Sequence, residues 1–431
     1  MLLTKLLPVA LAALASGTAI PRQASGDRKV FAHYLVGLTS GQEASQWQKD
    51  ISEAQSAGID GFALNIGRDD SYTDTQLQLA YDAASSVGGG FSVFLSFDMA
   101  DATKPWDVNR VSSLVNQYKS AGSQFKVNGL PVVSTFEGPT WSDNWASVRS
   151  DTGGIFLVPD WSSLGADGVG GRLSIIDGAF NWGAWPEANQ KTITTGNDVA
   201  YKNVLQGKPY MMGVSPYFYT DLPAYSKNWY SSSDSLWYDR WKQVLEISPE
   251  YIEIITWNDY GESSYINEPV AQQIVSGAEV YVDGFSHAAF RFVLPYFISA
   301  YKAGNADVAV PTEGAMAWYR TTPASLDGCS DGGTVWGQSG DASAAGGTSN
   351  VISVIALTNS PTSITVSVGG SSQTVSASDT IGKASFYQVP FDGKTGAVTI
   401  TLNGKSTTGP EITNNCPSSG QINFNAVAIQ V

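Results

Sequence analysis

The sequence predicts an α/β fold: a (β/α)8 TIM-type barrel followed by a C-terminal all-β sandwich. Three observations carry that prediction. Eight apolar, strand-like runs alternate with helix-like stretches between residues 29 and 305, which is the repeat of such a barrel. Polar and aromatic residues follow the apolar body of nearly every run, at the strand ends where barrels build their sites. From residue 306 the chain turns to short Val-, Thr- and Ser-rich runs, broken by turn residues about every ten positions in the rhythm of a sandwich. A doubly wound open sheet is the runner-up. No Gly-x-Gly-x-x-Gly follows the first run, so nothing points to a dinucleotide.

The strand-like runs are 29–37, 61–67, 91–99, 130–138, 155–160, 174–180, 210–219 and 251–257. β-Branched and aromatic residues fill them, and Gly, Pro or Asp bounds them. Apolar residues recurring at helical spacing predict helices at 43–57, 73–87, 107–121, 142–150, 187–205, 235–245 and 285–302. Beyond the barrel, short strands are expected at 308–311, 316–320, 351–358, 363–368, 385–390, 397–402 and 424–430, with a Gly/Ser-rich stretch at 328–349. No low-complexity linker separates the two parts, so the sandwich at 306–431 is expected to pack directly on the barrel at 29–305, chiefly as support.

Residues 1–19 read as a secretory signal peptide: Lys5, an apolar run over 6–15, then small residues to Ala19. That run is too short to span a bilayer. Residues 20–28 read as a pro-segment or lead-in, and the destination is extracellular or the cell wall. In a secreted chain the two cysteines, Cys329 and Cys416, predict one structural disulfide. A net charge of −15 disfavours nucleic acid and anionic membrane surfaces as partners and fits a neutral substrate. With only two histidines, His33 and His287, a Ser-His-Asp hydrolase, a metalloprotease and a metal site are all disfavoured. No cofactor is expected, and a monomer is the default.

The eighth run opens into Trp257, Asn258, Asp259, Tyr260, Gly261 and Glu262. Two carboxylates three residues apart can supply one acid and one base for cleaving a glycosidic bond, and aromatic faces stack on sugar rings. A solvated polar turn after a core strand is the plain alternative. The other strand ends supply candidate substrate-binding residues: His33 and Tyr34, Asn65, Asp98, Glu137, Asp160 and Trp161, Asp177 and Trp182, and Tyr217, joined by Trp257, Asn258 and Tyr260. Helical packing accounts for most of Trp106, Trp141, Trp145, Trp229, Trp237 and Trp241, and His287 reads as structural.

Four stretches resemble glycoside hydrolase family 71, the fungal α-1,3-glucanases or mutanases: FAHYLVG at 31–37, AGIDGFALNIG at 57–67, LSFDM at 95–99 and ITWNDYGESSYI at 255–266. The last is also similar to the motif of the endo-α-mannosidases. The resemblance implies endo-hydrolysis of α-1,3-glucan with inversion, by Asp259 as general base and Glu262 as general acid. It leaves two other readings standing: a hydrolase of another α-glycan such as an α-mannoside, and a non-catalytic carbohydrate-binding wall protein.

Overall fold

The computed structural model describes residues 28–360 and 362–431; the expected leader at 1–19 and the lead-in up to residue 27 lie outside them. The largest sheet is built from β1 (Lys29–Leu35), β2 (Gly61–Ile66), β3 (Ser92–Asp98), a short β4 (Lys126–Val127), β5 (Leu130–Phe136), β6 (Phe156–Leu157), β7 (Ala179–Asn181) and β8 (Tyr210–Val214). After a hairpin of β9 (Tyr219–Leu222) and β10 (Lys227–Tyr230), β11 (Tyr251–Ile254) enters the same sheet. The strand order is β4-β5-β3-β2-β1-β11-β8-β7, with β6 on β5. Every pairing in it is parallel except β4 with β5.

Between β6 and β7 the ladder thins to a single residue. Asp160 bridges Phe136 on one side and Phe180 on the other. The Phe180 N–H donates to Pro159 O at 2.9 Å, and the Asp177 N–H to Leu157 O at 2.8 Å. Helices α1 (Ala44–Ser56), α2 (Thr73–Val87), α3 (Val108–Tyr118) and α4 (Trp145–Thr152) follow β1, β2, β3 and β5 in order. Later units are less regular. α5 (Gly165–Gly170) is six residues, and α6 (Gly196–Val204) starts nine residues later than the sequence predicts. α7 (Leu236–Ile247) precedes β11, and only turns and α8 (Glu279–Val282) stand between β11 and α9 (Leu294–Ala303). The structure therefore gives an α/β sheet flanked by helices, without eight even strand–helix repeats. Glycines at 165, 168, 170 and 171 weaken the fifth helix, and Pro216 splits the expected 210–219 strand into β8 and β9.

Side chains alternate across each strand. On β1, Val30, Ala32 and Tyr34 pack outward against the helices. Phe31 joins Ala63, Phe94, Val132, Phe180, Met211 and Tyr251 in a separate core inside the sheet. His33 shares the inward parity of Phe31, two residues nearer the strand's C-terminal end.

The remaining chain forms β12 (Gly314–Tyr319), β13 (Val335–Trp336), β14 (Val351–Leu357), β15 (Ile364–Val368), β16 (Ser371–Val375), β17 (Asp379–Ile381), β18 (Ala384–Pro390), β19 (Gly396–Leu402), β20 (Lys405–Ile412) and β21 (Val427–Gln430). Two antiparallel sheets, β17-β18-β14-β12-β21 and β16-β15-β19-β20, enclose an apolar core. The expected strand at 308–311 does not form. The first of these sheets packs on the α/β part without a break: Met316, Trp318 and Phe386 belong to the same buried cluster as the helices. Tyr238 of α7 stacks on Phe386 with ring centroids 4.9 Å apart. His287, pulled down to about 4 by burial, stacks on Tyr265 and bonds the Ala426 carbonyl. Cys329 and Cys416 form a disulfide across 87 residues.

Two consequences are measurable. Closing a loop of that length restrains the unfolded chain by about 4 kcal/mol, so replacing both cysteines with serine is expected to lower unfolding stability by up to that amount in a denaturant titration. Asp160 is fully buried, and burial lifts its carboxyl to about 8 against the opposing hydrogen bonds of Ser162. A raised carboxyl binds its proton more tightly when folded, so its contribution is full below about pH 4 and is lost as pH rises through 8. Asp160→Asn is expected to flatten the stability curve between those limits relative to the parent chain.

Candidate active site

The stretch after β11 folds back on itself. The Thr256 N–H donates to Ser264 O at 2.9 Å, and the Ile266 N–H donates to Thr256 O at 3.0 Å. The Trp257 N–H donates to His33 O at 2.8 Å, which continues the pairing with β1 past the end of β11. Asn258 then takes the place of a further strand residue. Its Oδ1 accepts from Leu35 N–H at 2.8 Å, and its Nδ2 donates to Leu35 O at 3.2 Å and to Gln273 at 2.9 Å. Both atoms of the buried amide are satisfied, as a buried polar group requires.

Asp259 and Glu262 sit at either end of the next short turn. The Asp259 N–H is held by Thr256 Oγ1 at 2.8 Å, and Asp259 Oδ1 accepts from the Glu262 N–H at 3.1 Å. Both side chains keep some exposure, whereas Trp257, Asn258 and Tyr260 have none. Trp257 lies under the Arg291 guanidinium and against Phe62. Tyr260 packs edge-on to Tyr265 and donates to Glu268 O at 3.0 Å. These three expected sugar contacts are therefore the frame of the loop and do not face a cleft. Apolar and amide groups are drawn into the core, and the two carboxylates, costly to desolvate, stay at the rim.

Burial raises the Asp259 carboxyl well above the usual carboxylate range, and the charge of Glu262 adds to the shift. Glu262 Oε1 lies 2.5 Å from the Lys227 Nζ on β10. Burial opposes the charge on Lys227, but Glu262, Asp259 and Asp98 together outweigh it and the lysine stays above its ordinary value. Asp98 is raised by burial and feels both His33 and Lys227, so it belongs to the same field. His33 is 2% exposed. Its Nδ1 lies 2.6 Å from Glu253 Oε1, and its ring meets Trp182 edge-on at 4.9 Å. Asn65 has an Nδ2 with no protein partner. His33, Asn65, Asp98 and Trp182 thus occupy strand ends on the carboxylate side of the sheet, as the sequence suggests.

Glu137 and Asp160 form a neighbouring group. Glu137 accepts from the Ser163 N–H at 2.9 Å, and Asp160 Oδ1 accepts from the Ser162 N–H at 3.0 Å. Four other candidates are elsewhere. Tyr34 faces outward, stacks on Trp47 and donates to Asp50 at 2.7 Å. Trp161 is wholly buried in the same outer core. Asp177 precedes β7, at the opposite end of the sheet from the carboxylates, and pairs with Arg149 at 2.6 Å. Tyr217 is buried between the two parts of the chain and donates to Phe424 O at 2.7 Å. Tyr34 alternates with the inward-facing His33 and so turns outward, Trp161 packs in that outer core, Asp177 lies before its strand and not at its end, and Tyr217 follows the break at Pro216.

Two residues escape a sequence reading. Glu253 lies in the body of an apolar strand, and a carboxylate at a position with no exposure is itself the clue that a buried partner exists. Lys227 carries no local signal, because its partner is 35 residues away. Among the described residues no group of three or more His, Cys, Asp and Glu side chains is arranged to hold a metal ion.

The model of glycosyl hydrolase family 71 matches residues 26–431. The chain is 35% identical over 420 residues to the Schizosaccharomyces pombe protein named glucan endo-1,3-alpha-glucosidase agn1, covering 93% of this chain and 94% of that protein. It is 39% identical over 328 residues to a Penicillium rubens protein named mutanase Pc12g07500, covering 75% and 72%. Among solved structures, the family 99 endo-alpha-mannosidase of Bacteroides thetaiotaomicron aligns with a TM-score of 0.50 at 12% identity, over 64% of this chain and 98% of that one, a likeness of fold. A match across nearly the whole chain, at the identities seen, makes this protein a member of glycosyl hydrolase family 71.

Proposed function

We propose that the protein is a secreted hydrolase of α-1,3-glucosidic bonds in α-1,3-glucan, with Asp259 and Glu262 as the reacting pair. The observation that carries the reading is the turn at 259–262. It frees two carboxylates from an otherwise buried loop and brings a lysine to one of them. The names borne by relatives at 35% and 39% identity support the bond and the polymer. An extracellular or wall location accords with the leader read at 1–19 and with the name of a third relative, an ascus wall endo-1,3-alpha-glucanase at 33% identity. The closed (β/α)8 description, the boundary at residue 305/306 and the polysaccharide groove over His33, Asn65, Asp98 and Trp182 are parts of the same proposal.

The chemistry needs one carboxyl protonated beside the leaving oxygen and one ionised to activate water on the opposite face, with inversion as the outcome. The pair shares one proton at working pH. The resemblance gives Asp259 as base and Glu262 as acid. Burial favours the proton on Asp259, and Lys227 pairs with Glu262. In that order the proton passes from Asp259 to Glu262 as the sugar binds.

Incubation of insoluble α-1,3-glucan with the parent chain is expected to release soluble sugar. Asp259→Asn and Glu262→Gln are each expected to lower the rate by at least about a thousandfold with the fold retained. Near-normal turnover by both variants would remove the assignment. Release from mannan but not from α-1,3-glucan would replace the substrate. A substrate whose leaving group needs no proton is expected to restore turnover to the acid variant alone, which fixes the order of the pair.

A further inference from the structure

Lys227 is neither the acid nor the base of the chemistry described above, yet it is in contact with Glu262. It reaches Glu262 from a separate element, and several contacts hold that element in place. β10 pairs with β9 in an antiparallel hairpin, Lys227 opposite Leu222, and with β13 in parallel, Trp229 and Tyr230 opposite Val335 and Trp336. Next to the lysine, Asn228 donates to Gly332 O at 2.8 Å and accepts from the Thr334 hydroxyl at 2.8 Å. On the other side the hairpin closes onto the carboxylate turn itself. A Cβ added at Gly261 would lie 3.2 Å from Leu222, so the glycine is what lets the two come so near.

The charges around this ammonium are nearly all negative. Glu262 is in contact with it, and Asp259 and Asp98 face it at longer range. From other elements, Tyr281 of α8 faces Asp259, and His33 and Asp70 face Asp98. The side chains of Lys227 and Glu262 are 39% and 14% exposed, so the pair is only partly screened by water.

We propose that Lys227 is a positioning residue that keeps one carboxylate of the Asp259/Glu262 pair ionised in acid, and so sets the acidic limb of the pH–rate profile. The inference rests on the reading of those two residues as the reacting pair. The working state carries one proton on the pair. At low pH a second proton enters, the ionised partner is lost and turnover stops. A cation in contact with the pair disfavours that second proton, and an opposite charge at this range moves a carboxyl by about one unit or more. The argument holds whichever carboxylate is the acid. It also gives the β13 segment a task, since that segment fixes the strand from which the lysine reaches.

The experiment is the pH dependence of kcat/KM on soluble α-1,3-gluco-oligosaccharides for the parent chain, Lys227→Met and Lys227→Arg, each checked for folding by circular dichroism. Lys227→Met is expected to move the acidic limb upward by about one unit. That shift costs about tenfold in rate at any pH well below the limb, while rates on the plateau change less. Lys227→Arg is expected to restore the limb toward its original position. A uniform loss at every pH, or an unmoved limb, would overturn the proposal and leave the lysine a structural tie. If Lys227→Met does not fold, Lys227→Gln is read in the same way. Asp259→Asn and Glu262→Gln, run alongside, separate the two readings. If both remain active, the pair is wrong; if both are inactive while the limb stays fixed, only the role of Lys227 fails.

Discussion

The site depends on how the chain leaves β11. A parallel strand that simply ended would leave the last backbone groups of β1 without partners on that side. Here the Trp257 N–H serves His33 O, and the Asn258 side chain serves both backbone groups of Leu35. A side-chain amide is the right shape for this, since it carries one donor and one acceptor spaced like a peptide. Once Asn258 is locked against β1 and Trp257 is buried under Arg291, the following residue can point only toward the rim. Asp259 then caps its own turn through the Glu262 N–H, which fixes the second carboxylate relative to the first.

That geometry sets an electrostatic problem. Asp259, Asp98, Asp160 and Glu253 are wholly or largely withdrawn from water within one half of the sheet, and unpaired negative charge there is expensive. The structure answers it in different ways. His33 lies against Glu253, Lys227 against Glu262, and burial keeps protons on Asp160 and Asp259. A site that stores protons on buried carboxyls and ties another to a lysine has acid–base capacity built into its resting state, which is what glycosidic cleavage draws on.

The C-terminal part does more than cover the α/β part. Its buried aromatics Trp318 and Phe386 share one apolar cluster with the helices, and Tyr217 and His287 cross the seam with hydrogen bonds to Phe424 and Ala426. The Gly/Ser-rich stretch, which alone would read as a loose loop, contributes β13 and the contacts that hold β10. The two parts are therefore coupled at the hairpin that carries Lys227.

What the sequence determined by itself was the alternation of strand and helix, the change to short β runs near residue 306, the cysteine pair and the Asp259/Glu262 motif. All of these are local patterns: periodicity, composition and residues a few positions apart. It also marked His33, Asn65, Asp98 and Trp182 at the correct strand ends. It could not say which neighbours of a strand end face inward. Tyr34, Trp161, Asp177, Tyr217, Trp257, Asn258 and Tyr260 look the same in sequence as residues of a groove, yet a shift of one residue, or a bond to a distant backbone, takes each into the core or to the far end of the sheet. Glu253 and Lys227 were decided by tertiary structure alone, because a buried carboxylate and a lysine acquire meaning only from partners brought near by folding, 220 and 35 residues away in the chain.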